Sequence, residues 1–136
     1  MIKKVHHIGI AVKDLKESAG LFERLFGVKP HIAEAPCQQV TEAVFKIGDS
    51  VEIDLLEPMG PDSAVAKFLE QRGEGLHHIA MEVDDINAEL ITMEEKGVRL
   101  IDKEGREGVA GQIGFLHPKS VNGVLIELLQ PREGSH

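Results

Sequence analysis

The side chains best suited to chemistry are two pairs of adjacent histidines, at positions 6–7 and 77–78, and two carboxylates, Asp54 and Glu127, in otherwise apolar segments. A carboxylate buried among apolar residues needs a cation or strong hydrogen bonds, and imidazole is a common metal ligand. Such a mixed nitrogen and oxygen set suits Co, Mn, Ni, Fe or Zn and leaves coordination positions for water or substrate. A structural zinc site would favour thiolates, and the chain has the single cysteine Cys37.

These residues occur at matching places because the sequence contains an internal repeat. Three blocks recur in the same order at offsets of 70 to 73 positions, which indicates a duplicated module. The blocks, each with its copy, are residues 5–15 and 76–86, 27–28 and 97–98, and 53–58 and 126–131. We predict a single domain of residues 1–136, with module one at about 1–72 and module two at about 73–136.

Each module predicts the order β-α-β-β-β. The first block alternates apolar residues with the period of a strand. A helix follows, with Asp14 and Asp85 as N-caps and Gly27 and Gly97 at the ends. The helix that links the modules is predicted at 62–72. The predicted later strands are 41–47 and 50–56 in module one, and 112–116 and 123–129 in module two.

Strand alternation distinguishes the two members of each histidine pair. His7 shares a strand face with Gly9 and Ala11, and His78 shares one with Ala80, whereas His6 and His77 share theirs with bulky residues. A single strand histidine is more often a core residue than a ligand. Equivalent points of a duplicated module should instead meet near a pseudo-twofold axis. The predicted metal ligands are His7, Asp54, His78 and Glu127.

Composition limits the partners. A net charge of −8, with no Trp and no Tyr, argues against nucleic-acid binding, because basic stripes and stacking platforms are missing. Apolar runs are too short to span a bilayer, so we expect no membrane partner. One cysteine excludes an intrachain disulfide framework and favours a reducing compartment, so a cytoplasmic protein is expected.

The doubled plan, with its order His, acid, His, acid, resembles the vicinal-oxygen-chelate superfamily, which includes glyoxalase I, extradiol dioxygenases and bleomycin resistance proteins. Longer strings resemble its methylmalonyl-CoA epimerase family over essentially the whole chain. The most specific strings are Phe-Leu-His-Pro-Lys-Ser at 115–120 and Asp-Ser-Ala-Val-Ala-Lys at 62–67. The other strings that carry the resemblance are residues 7–12, 55–58, 75–80 and 123–128.

The resemblance implies an α+β fold in which two tandem βαβββ modules form a curved mixed sheet around a metal site. It implies metal-dependent epimerisation of methylmalonyl-CoA at C2, by two-base proton transfer through a metal-stabilised enolate. The family's ligands fall on His7, His78 and Glu127, and the fourth falls on Asp54, where relatives usually carry Gln or Glu. Its catalytic carboxylates fall on Glu42 and Glu127. An acyl-CoA substrate, a divalent ion (Co, Mn, Ni or Zn) and a homodimer are expected.

Two positions qualify this interpretation. From the residues alone Glu42 is a solvent-facing strand residue, and the resemblance assigns it a role in catalysis. Relatives often carry a basic residue near the substrate where Gln112 stands, which bears on acyl-group specificity. The alternatives are a glyoxalase I-type lactoylglutathione lyase and a non-catalytic small-molecule-binding member of the superfamily. Glu42 and the string at 115–120 favour the epimerase over the lyase.

Overall fold

The computed structural model describes residues 1–133, so the last three residues of the predicted domain lie outside the described residues. Its order β-α-β-β-β occurs twice, with a helix between the copies, and the predicted α+β class is confirmed. The strands and α-helices are β1 (Ile2–Ala11), α1 (Leu15–Phe26), β2 (His31–Ala35), β3 (Val40–Ile47), β4 (Val51–Pro58), α2 (Ala64–Arg72), β5 (Gly75–Val83), α3 (Ile86–Glu95), β6 (Arg106–Glu107), β7 (Gly111–Leu116) and β8 (Ile126–Pro131).

Element boundaries differ from the prediction at three places. The first strand after each helix, β2 and β6, had no predicted bounds, and β6 is only two residues long. The last strand begins at Ile126 rather than at residue 123, because a 3-10 turn at Pro118–Ser120 and the residues after it precede the strand. The linking helix begins at Ala64, with the Ser63 side chain accepting from the backbone N–H of Ala66.

The chain forms two compact units. The first unit comprises residues 7–77, and the second comprises residues 1–6 together with the chain from residue 78 onward. The strand order is β2-β3-β4-β1 in the first unit and β6-β7-β8-β5 in the second. In each unit the last pair, β4 with β1 or β8 with β5, is parallel, and the other pairs are antiparallel. That these units make one domain of two modules stays a prediction.

Helix ends follow the predicted signals, except that α3 has Lys96 as its C-cap, one residue before Gly97. The Asp14 side chain accepts from the backbone N–H of Glu17, and Asp85 does the same for Ala88. The first helix ends at Gly27, whose φ of 68° lies in the left-handed region that glycine adopts without a Cβ penalty. These caps fix where each helix starts relative to the strand before it.

Helices α1 and α3 each cover one face of the strands in their own unit. In the first unit the core joins α1 to β3 and β4 through Leu15, Phe45 and Leu55. In the second unit the core joins α3 to β7 and β8 through Leu90, Leu116 and Leu128, among other residues. Side chains alternate along strands, so the residues between these lie on the opposite face. Among the residues the structure describes, no helix is both long enough and apolar enough to cross a membrane.

Gly111 begins β7 where no side chain fits. A Cβ atom there would lie 2.0 Å from the carbonyl oxygen of Gln130, a backbone atom of the neighbouring strand. We therefore expect Gly111→Ala to lower the free energy of unfolding by about 2 kcal/mol or more in urea denaturation.

Gly60→Ala is the matched control. A Cβ at Gly60 meets no described atom within 4 Å apart from its chain neighbours. The control should change the free energy of unfolding by less than about 0.5 kcal/mol. Equal losses in the two variants would contradict the steric explanation.

Candidate active site and metal ligands

The face opposite the helix in the first unit carries three of the predicted site residues. Phe45 and Leu55 belong to the helix-side core. Glu42 and Asp54 have the opposite parity in the same two strands, so they point to the other face. His7 lies there too, because the parallel register of β1 on β4 gives it the parity of Asp54. We call this surface the ligand face of the first unit.

The second unit has an equivalent surface. Phe115 of β7 stands directly opposite Glu127 of β8, and both alternate with the helix-side residues Leu116 and Leu128. His78 has the same parity, because the parallel register of β5 on β8 pairs residue 80 with Glu127. The face that bears His78, Phe115 and Glu127 is the ligand face of the second unit.

Each unit brings one predicted imidazole beside one predicted carboxylate. His7 Nδ1 lies 3.9 Å from Asp54 Oδ2, and His78 Nε2 lies 3.6 Å from Glu127 Oε1. These distances exceed those of a normal hydrogen bond. Two donor atoms that each bind one ion at about 2.1 Å are separated by about 3.0 to 3.4 Å. The spacing in each unit is therefore close to that of two ligands on one metal ion.

The burial of these groups also fits a metal. Glu127, Asp54 and His78 are only 2%, 5% and 6% exposed. Burying a carboxylate is costly unless an opposite charge or hydrogen bonds compensate for the lost water. A divalent cation beside either pair would compensate its carboxylate, and imidazole with carboxylate is a donor set that such ions accept. The residues present therefore fit the predicted ion.

The structure separates the members of the second histidine pair in the way that alternation predicts. The His77 ring packs edge-on against Phe68 of α2, with 5.0 Å between centroids. Burial lowers the pKa of His77 to about 4, so the imidazole is neutral at physiological pH. His77 is thus a packing residue, while His78 lies on the ligand face.

Glu42 is buried, and the expectation from the residues alone, that it faces solvent, is wrong. It is 8% exposed on the ligand face of the first unit. Burial, and secondly the charge of Glu52, raise the pKa of Glu42 from 4.5 to about 7. A carboxyl group that titrates near pH 7 can both accept and donate a proton at neutral pH. Val40 and Val44 share this face, but Val44 is only half-buried and Lys46 beyond it is exposed, so the strand's own sequence does not show that the face is covered.

Sequence reasoning missed a cluster that borders the second unit's ligands. The Phe115 ring meets the His78 ring edge-on, with 6.0 Å between centroids. Asp102 accepts from the backbone N–H of Phe115 with Oδ2, at 2.8 Å, and from Arg106 Nε with Oδ1, at 3.0 Å. The Arg106 guanidinium carbon lies 5.5 Å from the centroid of the Phe115 ring. A loop residue, Asp102, therefore ties together a strand and a side chain that periodicity does not connect.

Gln112 does not belong to the ligand face. It has the opposite parity to Phe115 in β7, and its Nε2 donates to Glu107 Oε2 at 3.1 Å. Gln112, whose position the resemblance connects with acyl-group specificity, thus points to the other side of the strands.

A groove of about 530 Å³ in the first unit lies away from the predicted site residues. It runs along α1 beside Pro30 and Ile32, and its charged lining comprises three carboxylates and one lysine: Asp14, Glu23, Glu57 and Lys16. An excess of carboxylates repels an anionic ligand such as an acyl-CoA. The groove is therefore a poor candidate for the substrate site.

Comparison with known proteins identifies the family. The profile of the Glyoxalase/Bleomycin resistance protein/Dioxygenase superfamily matches residues 6–117. The mitochondrial methylmalonyl-CoA epimerase of Homo sapiens is 36% identical over 129 residues, which cover 93% of this chain and 73% of that protein. The chain belongs to the methylmalonyl-CoA epimerase family. The ethylmalonyl-CoA/methylmalonyl-CoA epimerase of Cereibacter sphaeroides is 35% identical over 133 residues, 96% of this chain and 99% of that protein.

Solved structures of methylmalonyl-CoA epimerases share the fold. A methylmalonyl-CoA epimerase in complex with methylmalonyl-CoA and NH4+ has a TM-score of 0.90 and 38% identity, and the match covers 98% of this chain and 97% of that one. A Streptomyces coelicolor methylmalonyl-CoA epimerase variant in complex with 2-nitronate-propionyl-CoA gives the same four values. The glyoxalase-like fold is confirmed, and the protein is an isomerase of the epimerase type.

The raised pKa of Glu42 predicts a pH-dependent stability. The folded state keeps a proton that the unfolded state releases, so this group's contribution to stability falls as pH rises from 4.5 to about 7. Glu42→Gln keeps the shape and cannot ionise. In metal-free protein we expect this variant to be more stable than wild type by about 3 kcal/mol at pH 8, and equal to it near pH 4.5.

Urea denaturation at a series of pH values measures this difference. Glu34→Gln, on the exposed side of β2, is the control and should follow wild type at each pH. A stability difference between wild type and Glu42→Gln that stays constant with pH would show that Glu42 has an ordinary pKa.

Proposed function

We propose that this protein interconverts the 2R and 2S epimers of methylmalonyl-CoA in a metal-dependent, two-base reaction. The observation that carries the proposal is Glu42, a buried carboxyl with a pKa of about 7 on a ligand face. Membership of the methylmalonyl-CoA epimerase family supports the substrate. The alternatives, a glyoxalase I-type lyase and a non-catalytic binding protein, are less supported, because the relatives above carry epimerase names.

The reaction needs help to remove a weakly acidic proton. C2 of methylmalonyl-CoA lies between a thioester and a carboxylate, and loss of its proton leaves an enolate. The proposed ligands of one divalent ion (Co, Mn, Ni or Zn) are His7, Asp54, His78 and Glu127. When bound, this ion would act as a Lewis acid that stabilises negative charge on the thioester oxygen.

Inversion at C2 requires a proton to leave from one side of the carbon and another to arrive on the opposite side. We assign Glu42 to one side and Glu127 to the other. A pKa near 7 lets Glu42 act as the base for one epimer and, once protonated, as the acid for the other. Glu127 would serve as both ligand and base, and a loose metal bond would keep it basic enough to take the proton.

Asp54 stands at the ligand position for which the family resemblance implies Gln or Glu. Its side chain is one methylene shorter than Glu. The imidazole–carboxylate distance is 3.9 Å in this unit and 3.6 Å in the unit that carries Glu127. A slightly wider pair is what the shorter side chain would produce. Direct coordination by Asp54, a homodimeric assembly and a cytoplasmic location stay predictions.

Proton exchange at C2 separates the two bases. Metal-loaded protein is incubated in deuterated water with each epimer of methylmalonyl-CoA, and deuterium incorporation and epimer formation are followed by NMR. Wild type should exchange and epimerise both. Glu42→Gln should slow epimerisation by about 100-fold or more, while the epimer whose proton is taken by Glu127 still exchanges.

Glu34→Gln is the control for this experiment, since it removes an exposed carboxyl from the strand beside Glu42. It should leave both rates unchanged. Undiminished epimerisation by Glu42→Gln would exclude Glu42 as a base. No exchange by metal-loaded wild type would exclude the proposed function altogether.

Metal content tests the ligand assignment independently of activity. Wild type dialysed against Co²⁺ should retain roughly one ion per chain and gain thermal stability. His7→Ala and His78→Ala should each lose most of both effects. His31→Ala, which removes an exposed histidine, should keep them. Full retention of the ion by the first two variants would refute the assignment.

A further inference from the structure

At one equivalent pair of facing residues, the first unit carries an acid and the second unit carries a cation. Ala33 of β2 stands opposite Glu42 of β3, whereas Arg106 of β6 stands opposite Ile113 of β7. These pairs are equivalent, because Glu42 and Ile113 each oppose the leucine two residues after their unit's candidate carboxylate ligand. The duplicated modules kept the ligand positions and diverged here, to an acid in one unit and a cation in the other.

Arg106 lies on the ligand face of the second unit. It faces Ile113, which packs with Phe115 and Leu129 on that side of the sheet. Its guanidinium carbon is 5.5 Å from the centre of the Phe115 ring, and the same ring contacts His78. The order across this face is therefore imidazole, aromatic ring, guanidinium.

The orientation of the guanidinium is fixed by Asp102. Asp102 Oδ1 accepts from Arg106 Nε at 3.0 Å, and its Oδ2 is held by the backbone N–H of Phe115 at 2.8 Å. This bond uses Nε, and a guanidinium has further N–H donors on its terminal nitrogens, which match a carboxylate or a phosphate. The side chain is 48% exposed, so an anion in solution can reach it.

Charge makes this position distinctive. The chain carries a net charge of −8, which opposes the approach of an anionic acyl-CoA. Arg106 is the only Lys or Arg within the sequences of strands β5 to β8. A substrate that reaches the His78 side of this unit therefore meets one fixed cation among these strands.

We propose that Arg106 binds an anionic group of the acyl-CoA substrate, either the acyl carboxylate or a phosphate of coenzyme A. Asp102 and Phe115 are the positioning residues that hold the guanidinium in place. The inference rests on the proposed function and adds a specificity-determining residue to it, on the opposite unit from Glu42.

Steady-state kinetics of Arg106→Gln tests this role. The variant should raise the KM for methylmalonyl-CoA about 10- to 100-fold, because a charge-assisted hydrogen bond to the substrate is lost, with a much smaller change in kcat. Arg106→Lys keeps the charge without the planar fork and should recover part of the affinity.

Arg132→Gln is the matched control. Arg132 is also 48% exposed and also paired with a carboxylate, that of Glu107, and it donates to the carbonyl oxygens of Val109 and Gly108. Arg132→Gln removes one positive charge, as Arg106→Gln does, but leaves the ligand face unchanged. A KM for Arg106→Gln equal to that of wild type or of Arg132→Gln would overturn the proposal. A KM for Arg106→Lys as high as that of Arg106→Gln would also overturn it.

Two further ligands identify the anionic group. Propionyl-CoA has the phosphates and lacks the acyl carboxylate, whereas methylmalonyl-pantetheine has the carboxylate and lacks the phosphates. If Arg106 binds the carboxylate, Arg106→Gln lowers the affinity for methylmalonyl-pantetheine only. If Arg106 binds a phosphate, the variant lowers the affinity for propionyl-CoA only. If both affinities are unchanged, the proposal is wrong.

The wild-type protein separates this inference from the proposed function. Absence of C2 exchange in metal-loaded wild type would exclude both the epimerase reaction and the role of Arg106 in it. Normal exchange in wild type, with kinetics of Arg106→Gln indistinguishable from it, would remove the role of Arg106 and leave the epimerase proposal intact.

Discussion

Burial of ionisable side chains on the ligand face of each unit is the interaction on which the site depends. Glu42, Asp54, His78 and Glu127 are each less than 9% exposed. A carboxylate withdrawn from water must gain an opposite charge, gain hydrogen bonds or keep its proton. Glu42 keeps its proton to about pH 7. Asp54 and Glu127 each lie beside an imidazole, 3.9 and 3.6 Å away, at a spacing close to that of two ligands on one cation.

The parallel strand pairs are what place an imidazole beside a carboxylate. In each unit the strand that carries the histidine runs parallel to the strand that carries the acid, and their register gives both residues the same parity. The helix of the unit packs on the alternate residues of these strands. Each strand therefore has one face in the hydrophobic core and one face that carries the polar groups. A shift of one residue in either register would send the polar groups into the core.

Much of this could be predicted, because period-two alternation and helix caps are local signals. They located the helices, most strands and the faces of His7 and His78. The burial of Glu42 could not be predicted from its own strand, since burial depends on what covers a face. The two-residue strand that carries Arg106 is too short to show a period. The contact of Asp102 with Phe115 joins a loop to a strand, and no spacing in the sequence encodes it.

The divergence of the two units follows from the chemistry proposed for them. Inversion of a carbon centre requires proton transfer on both of its sides. A duplicated pair of imidazole and carboxylate positions suits this requirement. The substrate itself is not symmetric, since a charged acyl group and a coenzyme extend from one carbon. Equivalent positions must therefore take different side chains. In this protein the first unit places the acid Glu42 opposite the small Ala33. The second unit places the apolar Ile113 opposite the cation Arg106.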